Sequence, residues 1–440
     1  MNGYFRRKLL KSTEICFSWL VFISFAIALL YRKTNVWDNY SDLRYYDILV
    51  SDWLINYEGG FVRRGLIGQF MWELEHIFSF DVRLFIGAII IISSITLVTI
   101  LLRMFKKEGW PILLLPTGCC LGYTIFNYFG RRDLLSIILS IVIFYLYKNT
   151  RSRLEWKYML LFYLISIIQI LIHEASFFYT FFFLIIVEFM GKSQYYQLKD
   201  NIALCVLRFS PILITFLLVS LYHGNQEVAN NIWASWKDIF DVHPDGTSNE
   251  TVGSGMQYLV SDLLSAAKYH LSVAYKGGLY PEYWRALLCL FNFISVYYMT
   301  TRINTVNMLI FRPLKMEHVI MSDIVLMQFI FMLPMFTILS CDWGRTFPYL
   351  FITSISLYVL FHDSNIIFPH FIHKISINIQ EKISSICLLR SPFFYLFIVF
   401  ITPIPSFDAP DFSERVHNNF QYLFMSSLTQ FWNILISIFN

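Results

Sequence analysis

Charged residues are scarce in this chain of 440 residues, where they make up 15% of the sequence, whereas a soluble globular domain carries about 25%. Hydrophobic residues make up 57% and aromatic residues 19%. This composition is typical of an integral membrane protein rather than a soluble one. The net charge of +4 is small and dispersed. Because no basic run is interleaved with aromatic residues, the sequence does not indicate a nucleic-acid-binding protein.

Recognisable nucleotide and metal motifs are also missing. The sequence contains no Walker loop, no GxSxG and no HExxH, which are the short motifs of nucleotide, acyl-transfer and zinc chemistry. The seven cysteines are an odd number, lie mostly in apolar runs and lack metal-ligand spacing, which argues against a disulfide framework or a zinc site. We therefore predict no metal and no cofactor.

Long apolar runs are what the sequence has in abundance. About 20 apolar residues cross about 30 Å of hydrocarbon as a helix. Arg6, Arg7, Lys8 and Lys11 before the first run place the N-terminus in the cytoplasm as an uncleaved anchor. We predict one all-α membrane domain over residues 1–440, with about 11–12 transmembrane helices. The predicted spans are 15–31, 83–102, 111–129, 134–147, 158–172, 175–190, 202–222, 284–301, 319–340, 347–361 and 392–402, followed by 420–439 as a span or a surface helix.

Two long hydrophilic segments fall on the external face of this topology, a first loop at 32–82 and a second at 223–283. Within the first, residues 71–80 are expected to lie as an interfacial helix on the membrane surface. The short loops with bare Lys and Arg fall on the cytoplasmic side, as the charge bias of membrane proteins requires. Every mixed cluster of acids, bases and aromatic rings falls outside, which predicts an external functional face.

The segment 52–69 is the most unusual part of the first loop, since it combines the carboxylates Asp52 and Glu58 with Arg63, Arg64 and four glycines. Paired arginines suit phosphate or pyrophosphate oxygens, and glycine lets backbone approach a ligand closely. We predict that this segment lines the polar chamber of a membrane enzyme. The alternative is an interfacial loop whose arginines pair with carboxylates or lipid headgroups.

Two further polar sites interrupt apolar runs. His173–Glu174 divides a stretch that would otherwise continue unbroken, and either side chain could serve as a general base. Alternatively, the pair caps a helical hairpin with Glu174 meeting Arg131 or Arg132. Asp342, Trp343 and Arg345 combine a carboxylate, an indole face and a guanidinium, which suits a sugar ring and its hydroxyls. An Asp–Arg pair within the loop would explain them equally.

Residues 130–179 resemble the EpsG-type and O-antigen polymerase (Wzy) group of polysaccharide enzymes. The features that carry the resemblance are Arg131 and Arg132 at the head of a span, the basic turn at 148–157, the span ending in His173–Glu174, and the aromatic, acidic segment 47–60. The resemblance implies a metal-independent glycosyltransferase with a GT-C-like fold in the bacterial inner membrane. Its implied partners are an undecaprenyl-pyrophosphate-linked oligosaccharide, membrane lipid and a chain-length regulator.

The expected reaction joins lipid-linked repeat units of an O-antigen or capsule at the external face. The phosphates would be neutralised by arginines, an acceptor hydroxyl would lose its proton to His173 or Glu174, and Asp342 and Arg345 would position sugar hydroxyls. The arginines in this scheme are Arg63, Arg64, Arg131 and Arg132. One alternative is a transferase that moves a single sugar from a polyprenyl phosphate, with Asp47, Asp52 or Glu58 as base. A second alternative is a flippase or exporter of lipid-linked oligosaccharide.

Overall fold

Helices account for every regular element in the part of the chain that the structure describes. The computed structural model describes residues 52–105, 132–152, 155–193, 195–236, 282–302, 316–339, 343–362 and 366–391, together with single residues at 259, 264, 265, 267, 268, 394 and 398. The prediction of an all-α protein is therefore confirmed for these ranges. The spans predicted at 15–31, 111–129 and 420–439 lie outside them, as does nearly all of 392–402.

The observed helices follow the predicted apolar runs, for example at 202–222, which is observed as Leu198–Leu221. They are α1 (Gly65–Phe78), α2 (Val82–Phe105), α3 (Asp133–Ser152), α4 (Trp156–Ile172), a π-helical turn (Phe177–Phe181), α5 (Phe182–Lys192), α6 (Leu198–Leu221), α7 (Gln226–Trp236), α8 (Glu282–Thr301), α9 (Met316–Thr337), α10 (Trp343–Phe361), α11 (His370–Ser385) and a 3₁₀ turn (Leu388–Arg390). By length and composition, α3, α6 and α9 can cross a membrane, and α2, α4 and α10 contain shorter apolar helices. These helices are those of a membrane protein.

The polar pair His173–Glu174 ends α4, as its position between two apolar runs indicated. His173 leaves the helix in an extended conformation while its amide still donates to the Gln169 carbonyl at 2.8 Å. The chain then turns back through the π-helical segment 177–181 into α5. Because α3 packs antiparallel to α4, this turn lies at the end of the bundle where α3 begins, beside Asp133.

Buried polar side chains fasten the helices to one another inside the bundle. The amide of Gln169 on α4 donates to the Ser136 carbonyl and to Ser140 Oγ on α3, at 2.9 and 2.7 Å. The amide of Gln328 on α9 donates to the Tyr179 carbonyl at 3.0 Å. Hydrogen bonds of this kind stabilise helix pairs in lipid, where apolar burial no longer favours helix association. They fix the π-helical segment between α3 and α9.

Charged residues within the spans are paired at the opposite end of α3. Glu188 on α5 accepts from Arg208 on α6 at 3.0 Å, from Lys192 at 2.9 Å and from the Tyr147 hydroxyl at 2.8 Å. Tyr147 lies 14 residues beyond Asp133 along α3, which is about 21 Å at 1.5 Å per residue. This group is consequently remote from His173 and Glu174.

Two short helices pack beside the loop that precedes α1. The Trp236 indole of α7 donates to the Leu54 carbonyl at 2.8 Å, and the Asn56 amide donates to Ser235 Oγ at 2.8 Å. On α1, Phe70 and Phe78 are 58% and 70% exposed, which is the surface expected of a helix that rests against lipid. The helix expected at 71–80 is observed as the longer α1, which begins at Gly65 and ends at Phe78.

Helix α11 lies in the segment between the predicted spans 347–361 and 392–402. It packs against α9 through His373, whose Nδ1 lies 2.7 Å from Oδ2 of the fully buried Asp323. Further along α11, the Gln380 amide donates to the Tyr297 hydroxyl of α8 at 3.0 Å. These contacts hold an amphipathic helix against the ends of two membrane helices.

Replacing His373 with alanine is expected to loosen α11, because Asp323 would lose a polar partner in a buried position. Amide hydrogen exchange over 370–385 should accelerate by about tenfold or more, corresponding to about 1.4 kcal/mol of local opening free energy. His370→Ala is the matched control, since His370 is an exposed histidine on the same helix. Equal exchange in both variants would show that the Asp323 contact does not hold α11.

Candidate functional site

Five charged side chains from three distant parts of the sequence meet at one end of the bundle. Arg64 binds Glu174 through two guanidinium nitrogens, with Nε 2.9 Å from Oε2 and Nη2 2.7 Å from Oε1. Arg63 Nη1 lies 3.8 Å from the same carboxylate. Asp52 lies 3.1 Å from Arg132 Nη2 and 3.7 Å from Arg64 Nη1. We refer to Asp52, Arg63, Arg64, Arg132 and Glu174 as the arginine cluster.

The backbone around Arg64 is held in place from two sides. Arg64 adopts a left-handed conformation (φ 66°, ψ 8°) immediately before α1 begins, a conformation that few non-glycine residues adopt. Its carbonyl accepts from Arg132 Nη1 at 2.9 Å, while the Arg63 amide donates to the Tyr222 carbonyl at 3.0 Å. Arg132 is 1% exposed, whereas the side chains of Arg63 and Arg64 are 17% and 20% exposed. Arg132 therefore supports the loop from the protein interior, and Arg63 and Arg64 form the accessible side of the loop.

The glycines of this segment have neighbours within the protein. A Cβ on Gly68 would lie 2.0 Å from the Ile55 carbonyl oxygen, and a Cβ on Gly65 would lie 2.2 Å from the Tyr57 ring. Both distances are far below van der Waals contact, so these positions require glycine for the loop to pack on α1. The sequence interpretation, in which glycine admits a ligand, is replaced at these two positions by close packing of the chain on itself.

Electrostatics distinguish Glu174 from an ordinary proton acceptor. Burial alone would raise the pKa of Glu174, but the charge and hydrogen bonds of Arg64, followed by the charge of Arg63, hold that pKa well below its usual range. Glu174 is therefore ionised at neutral pH and engaged by a guanidinium in a bidentate pair. This geometry favours Glu174 as an arginine partner over a general base. It is the pairing that the capping alternative anticipated, with Arg64 in place of Arg131 or Arg132.

His173 faces a different carboxylate. Its Nε2 lies 3.9 Å from Oδ1 of Asp133, the first residue of α3, and Asp133 is 1% exposed. The Tyr349 hydroxyl of α10 donates to the same Asp133 oxygen. The arrangement of His173, Asp133 and Tyr349 adjoins the arginine cluster because Glu174 directly follows His173 and Arg132 directly precedes Asp133.

The remaining predicted site residues lie elsewhere or beyond what is described. Glu58 is exposed, and its carboxylate accepts from the Gln69 amide at 3.3 Å; the structure does not bring it into the arginine cluster. Arg131 and Asp342 lie outside the described residues. Trp343 and Arg345 are described by their backbone, which opens α10. Since Tyr349 lies one helical turn after Arg345, α10 begins at the same end of the bundle as the cluster.

Sequence reasoning gave no role to Asp133 or Tyr349. Asp133 could have been found from the sequence, because it directly follows two arginines at the start of an apolar run. A carboxylate is favoured at a helix N-terminus. Tyr349 lies within an apolar run, where nothing in the sequence marks it. The π-helical turn after Glu174 was equally hidden; such turns are frequent at functional sites.

Comparisons of this chain with protein-family models, with curated proteins and with solved structures found no match.

Proposed function

We propose that this protein is a polytopic glycosyltransferase that joins polyprenyl-pyrophosphate-linked oligosaccharide units at the external face of a bacterial inner membrane. The full proposal includes the 11–12 spans, about 20 residues each, the cytoplasmic N-terminus and the GT-C-like architecture expected from the sequence. The single observation that carries it is the arginine cluster. In it, three guanidinium groups meet two carboxylates in a mostly buried position at one end of membrane helices.

The charge of the cluster favours an anionic ligand. Arg63 and Arg64 are the partly exposed cations of the cluster, with 17% and 20% of their side chains accessible, and guanidinium groups suit phosphate oxygens, which accept bidentate hydrogen bonds. Helix α1 begins directly after Arg64, and no side chain caps its first amides. The positive end of the α1 dipole adds to the same field. A pyrophosphate would contact Arg63 and Arg64 from this accessible side.

His173 is the best candidate for the base. Glu174 is bound by Arg64, Asp52 is paired with Arg132 at 3.1 Å, and Glu58 lies outside the cluster. His173 is the residue of this set that can accept a proton near neutral pH without first breaking an arginine pair. This reasoning also gives the single-sugar alternative, with Asp52 or Glu58 as base, less support than the polymerase.

The proposed step transfers one glycosyl group. The acceptor hydroxyl gives its proton to His173 as its oxygen bonds to the anomeric carbon, and the bond from that carbon to the pyrophosphate oxygen breaks. The polyprenyl pyrophosphate leaves with the bonding electron pair. Arg63 and Arg64 stabilise the charge that develops on this leaving group, which is usually the largest single contribution to catalysis.

Surface-glycan analysis tests this function directly. We expect deletion of the gene in its native host to leave single repeat units on the cell surface, and the wild-type gene to restore long chains. His173→Gln and Arg63→Gln should each reduce chain formation by about 100-fold or more, the size of a lost general base or charge-stabilising donor. His370→Ala, a change at an exposed histidine far along the chain, should leave chain length unchanged.

Three outcomes would contradict the proposal. Repeat units retained on the cytoplasmic leaflet of the deletion strain would indicate a flippase. Units that lack one sugar would indicate a single-sugar transferase. Normal chain length in both His173→Gln and Arg63→Gln cells would remove these residues from the reaction.

A further inference from the structure

Asp133 occupies a position that the polymerisation scheme above does not use. It is the first residue of α3, its side chain is 1% exposed, and its Oδ1 lies 3.9 Å from Nε2 of His173. The N-terminus of a 20-residue helix favours a negative charge at this site. A carboxylate is therefore held against one ring nitrogen of the proposed base.

A second contact anchors the same carboxylate oxygen that faces His173. The Tyr349 hydroxyl donates to Asp133 Oδ1, and the Tyr349 ring stacks on Tyr179 with 4.3 Å between centroids and 11° between planes. The Tyr179 hydroxyl in turn shares a 2.6 Å hydrogen bond with Ser136 Oγ. Asp133 is consequently fixed by α3, α10 and the π-helical turn, which are all parts of the buried bundle.

Other charged groups also act on His173. Glu174 lies on the same turn, and Arg63 and Arg64 lie beyond it in the loop before α1. The Glu174 charge is largely balanced by these two guanidinium groups. The Asp133 carboxylate lies directly against the imidazole, with Oδ1 3.9 Å from Nε2, so its charge acts on the ring at short range.

We propose that Asp133 is a positioning residue, which orients the His173 ring through Nε2 and stabilises the imidazolium, with Tyr349 holding Asp133 in place. This inference rests on the proposed role of His173 as the base. In the neutral state Nε2 carries the ring proton toward Asp133, and Nδ1 accepts the proton of the acceptor hydroxyl. A buried carboxylate that orients a histidine in this way also sets which nitrogen is protonated.

Nitrogen-15 NMR of histidine-labelled protein in lipid nanodiscs tests the inference without any assay of activity. The chain contains ten histidines, and the His173 signal is identified by its loss in His173→Gln. In the wild-type protein, the neutral ring should carry its proton on Nε2. In Asp133→Asn, the midpoint of the His173 titration should move to lower pH by about one unit, because an opposite charge within about 4 Å favours the protonated ring.

The matched control is Asp323→Asn, another buried aspartate that faces a histidine, His373, on a different pair of helices. This control should leave the His173 titration unchanged. Since the tautomer is measured on the wild-type protein, the test stands even where Asp133→Asn fails to fold. A proton on Nδ1 of neutral His173, or an unchanged midpoint in folded Asp133→Asn, overturns the inference.

Activity separates this inference from the proposed function. Asp133→Asn should lower chain formation and move the ascending limb of its pH profile to lower pH, because a weaker base is deprotonated at lower pH. A chain that makes no polymer but shows the expected NMR shifts would refute the polymerase and retain the His173–Asp133 pair. A working polymerase with an unchanged His173 titration would refute the pair alone.

Discussion

Replacing Arg64 with alanine is expected to destabilise the folded protein by about 3 kcal/mol, because Glu174 would remain as a buried charge without its bidentate partner. Arg64 forms three hydrogen bonds with that carboxylate, at 2.7 to 3.1 Å. Arg63 is the nearby cation that remains, and its 3.8 Å separation is too long to replace them. The free energy of unfolding in mixed detergent micelles measures the loss.

A double-mutant cycle isolates the Arg64–Glu174 pair. Glu174→Ala combined with Arg64→Ala should be more stable than the sum of the two single changes predicts, because the second change removes the charge that the first left uncompensated. Arg64→Lys should recover only part of the stability, since lysine keeps the charge but not the planar fork. A loss below about 0.5 kcal/mol in Arg64→Ala, the usual range for a surface change, would show that the pair contributes little.

The same pair predicts a pH dependence. The folded-state pKa of Glu174 is lowered by Arg64 and Arg63 against the opposing effect of burial, so the pair stabilises the fold fully above the unfolded carboxyl pKa of about 4.3. That stabilisation is lost as the pH falls below this value and through the folded-state pKa. The stability difference between wild type and Arg64→Ala should shrink as the pH falls, beginning at the folded-state pKa of Glu174 in the variant, where burial is no longer opposed by Arg64, and ending at its lowered pKa in the wild type.

Gly68→Ala is the second change with a large expected effect. The new Cβ would lie 2.0 Å from the Ile55 carbonyl oxygen and 2.5 Å from its carbon, and both atoms belong to backbone that cannot rotate away. The loop before α1 must then move off the helix, and overpacking of this kind costs about 3 kcal/mol or more. Because Asp52, Arg63 and Arg64 lie on this loop, the arginine cluster should be lost with it.

Thermal unfolding of the purified full chain checks the Gly68→Ala prediction. Gly191→Ala is the matched control, because its Cβ would meet only the far end of the Arg151 side chain at 3.0 Å, which can shift at little cost. We expect a much lower Tm for Gly68→Ala and an almost unchanged Tm for Gly191→Ala. Equal Tm values for the two variants would refute the close packing of the loop on α1.

Helices α2 to α6 and α8 to α10 could be predicted from the sequence because each follows an apolar run, whereas α7 and α11 lie in polar segments between the predicted spans. The π-helical turn 177–181 could not, since it differs from α-helix by one residue per turn and leaves no composition signal. The prediction that Arg64, Arg132, His173 and Arg345 lie together came from the charge bias of membrane loops; the first three lie together, and the side chain of Arg345 lies outside what the structure describes. That bias assigns residues to a membrane face but not to partners, which explains why Glu174 was expected to meet Arg131 or Arg132.

Residues whose role depends on tertiary contacts were out of reach of the sequence. From the sequence, Gly68 is a candidate for ligand contact. In the structure, a Cβ at this position would lie 2.0 Å from the Ile55 carbonyl oxygen, so the glycine is required for packing. Tyr349 is one aromatic residue among many in an apolar run. Its role follows from the hydrogen bond that its hydroxyl donates to Asp133, which lies 216 positions away in the sequence. Glu58 shows the converse, since its place among arginines in the sequence suggested a chamber residue whereas its side chain is exposed.

The most direct test of the account is the equilibrium binding of undecaprenyl pyrophosphate to the full chain in lipid nanodiscs, measured by native mass spectrometry. We expect Arg63→Gln to weaken binding about tenfold or more, the effect of one lost charge-assisted contact of about 1.4 kcal/mol or more. Arg208→Gln, which changes an arginine about 21 Å or more away at the other end of α3, should leave the affinity unchanged. Equal affinities for Arg63→Gln and wild type would contradict the claim that the arginine cluster binds a lipid pyrophosphate.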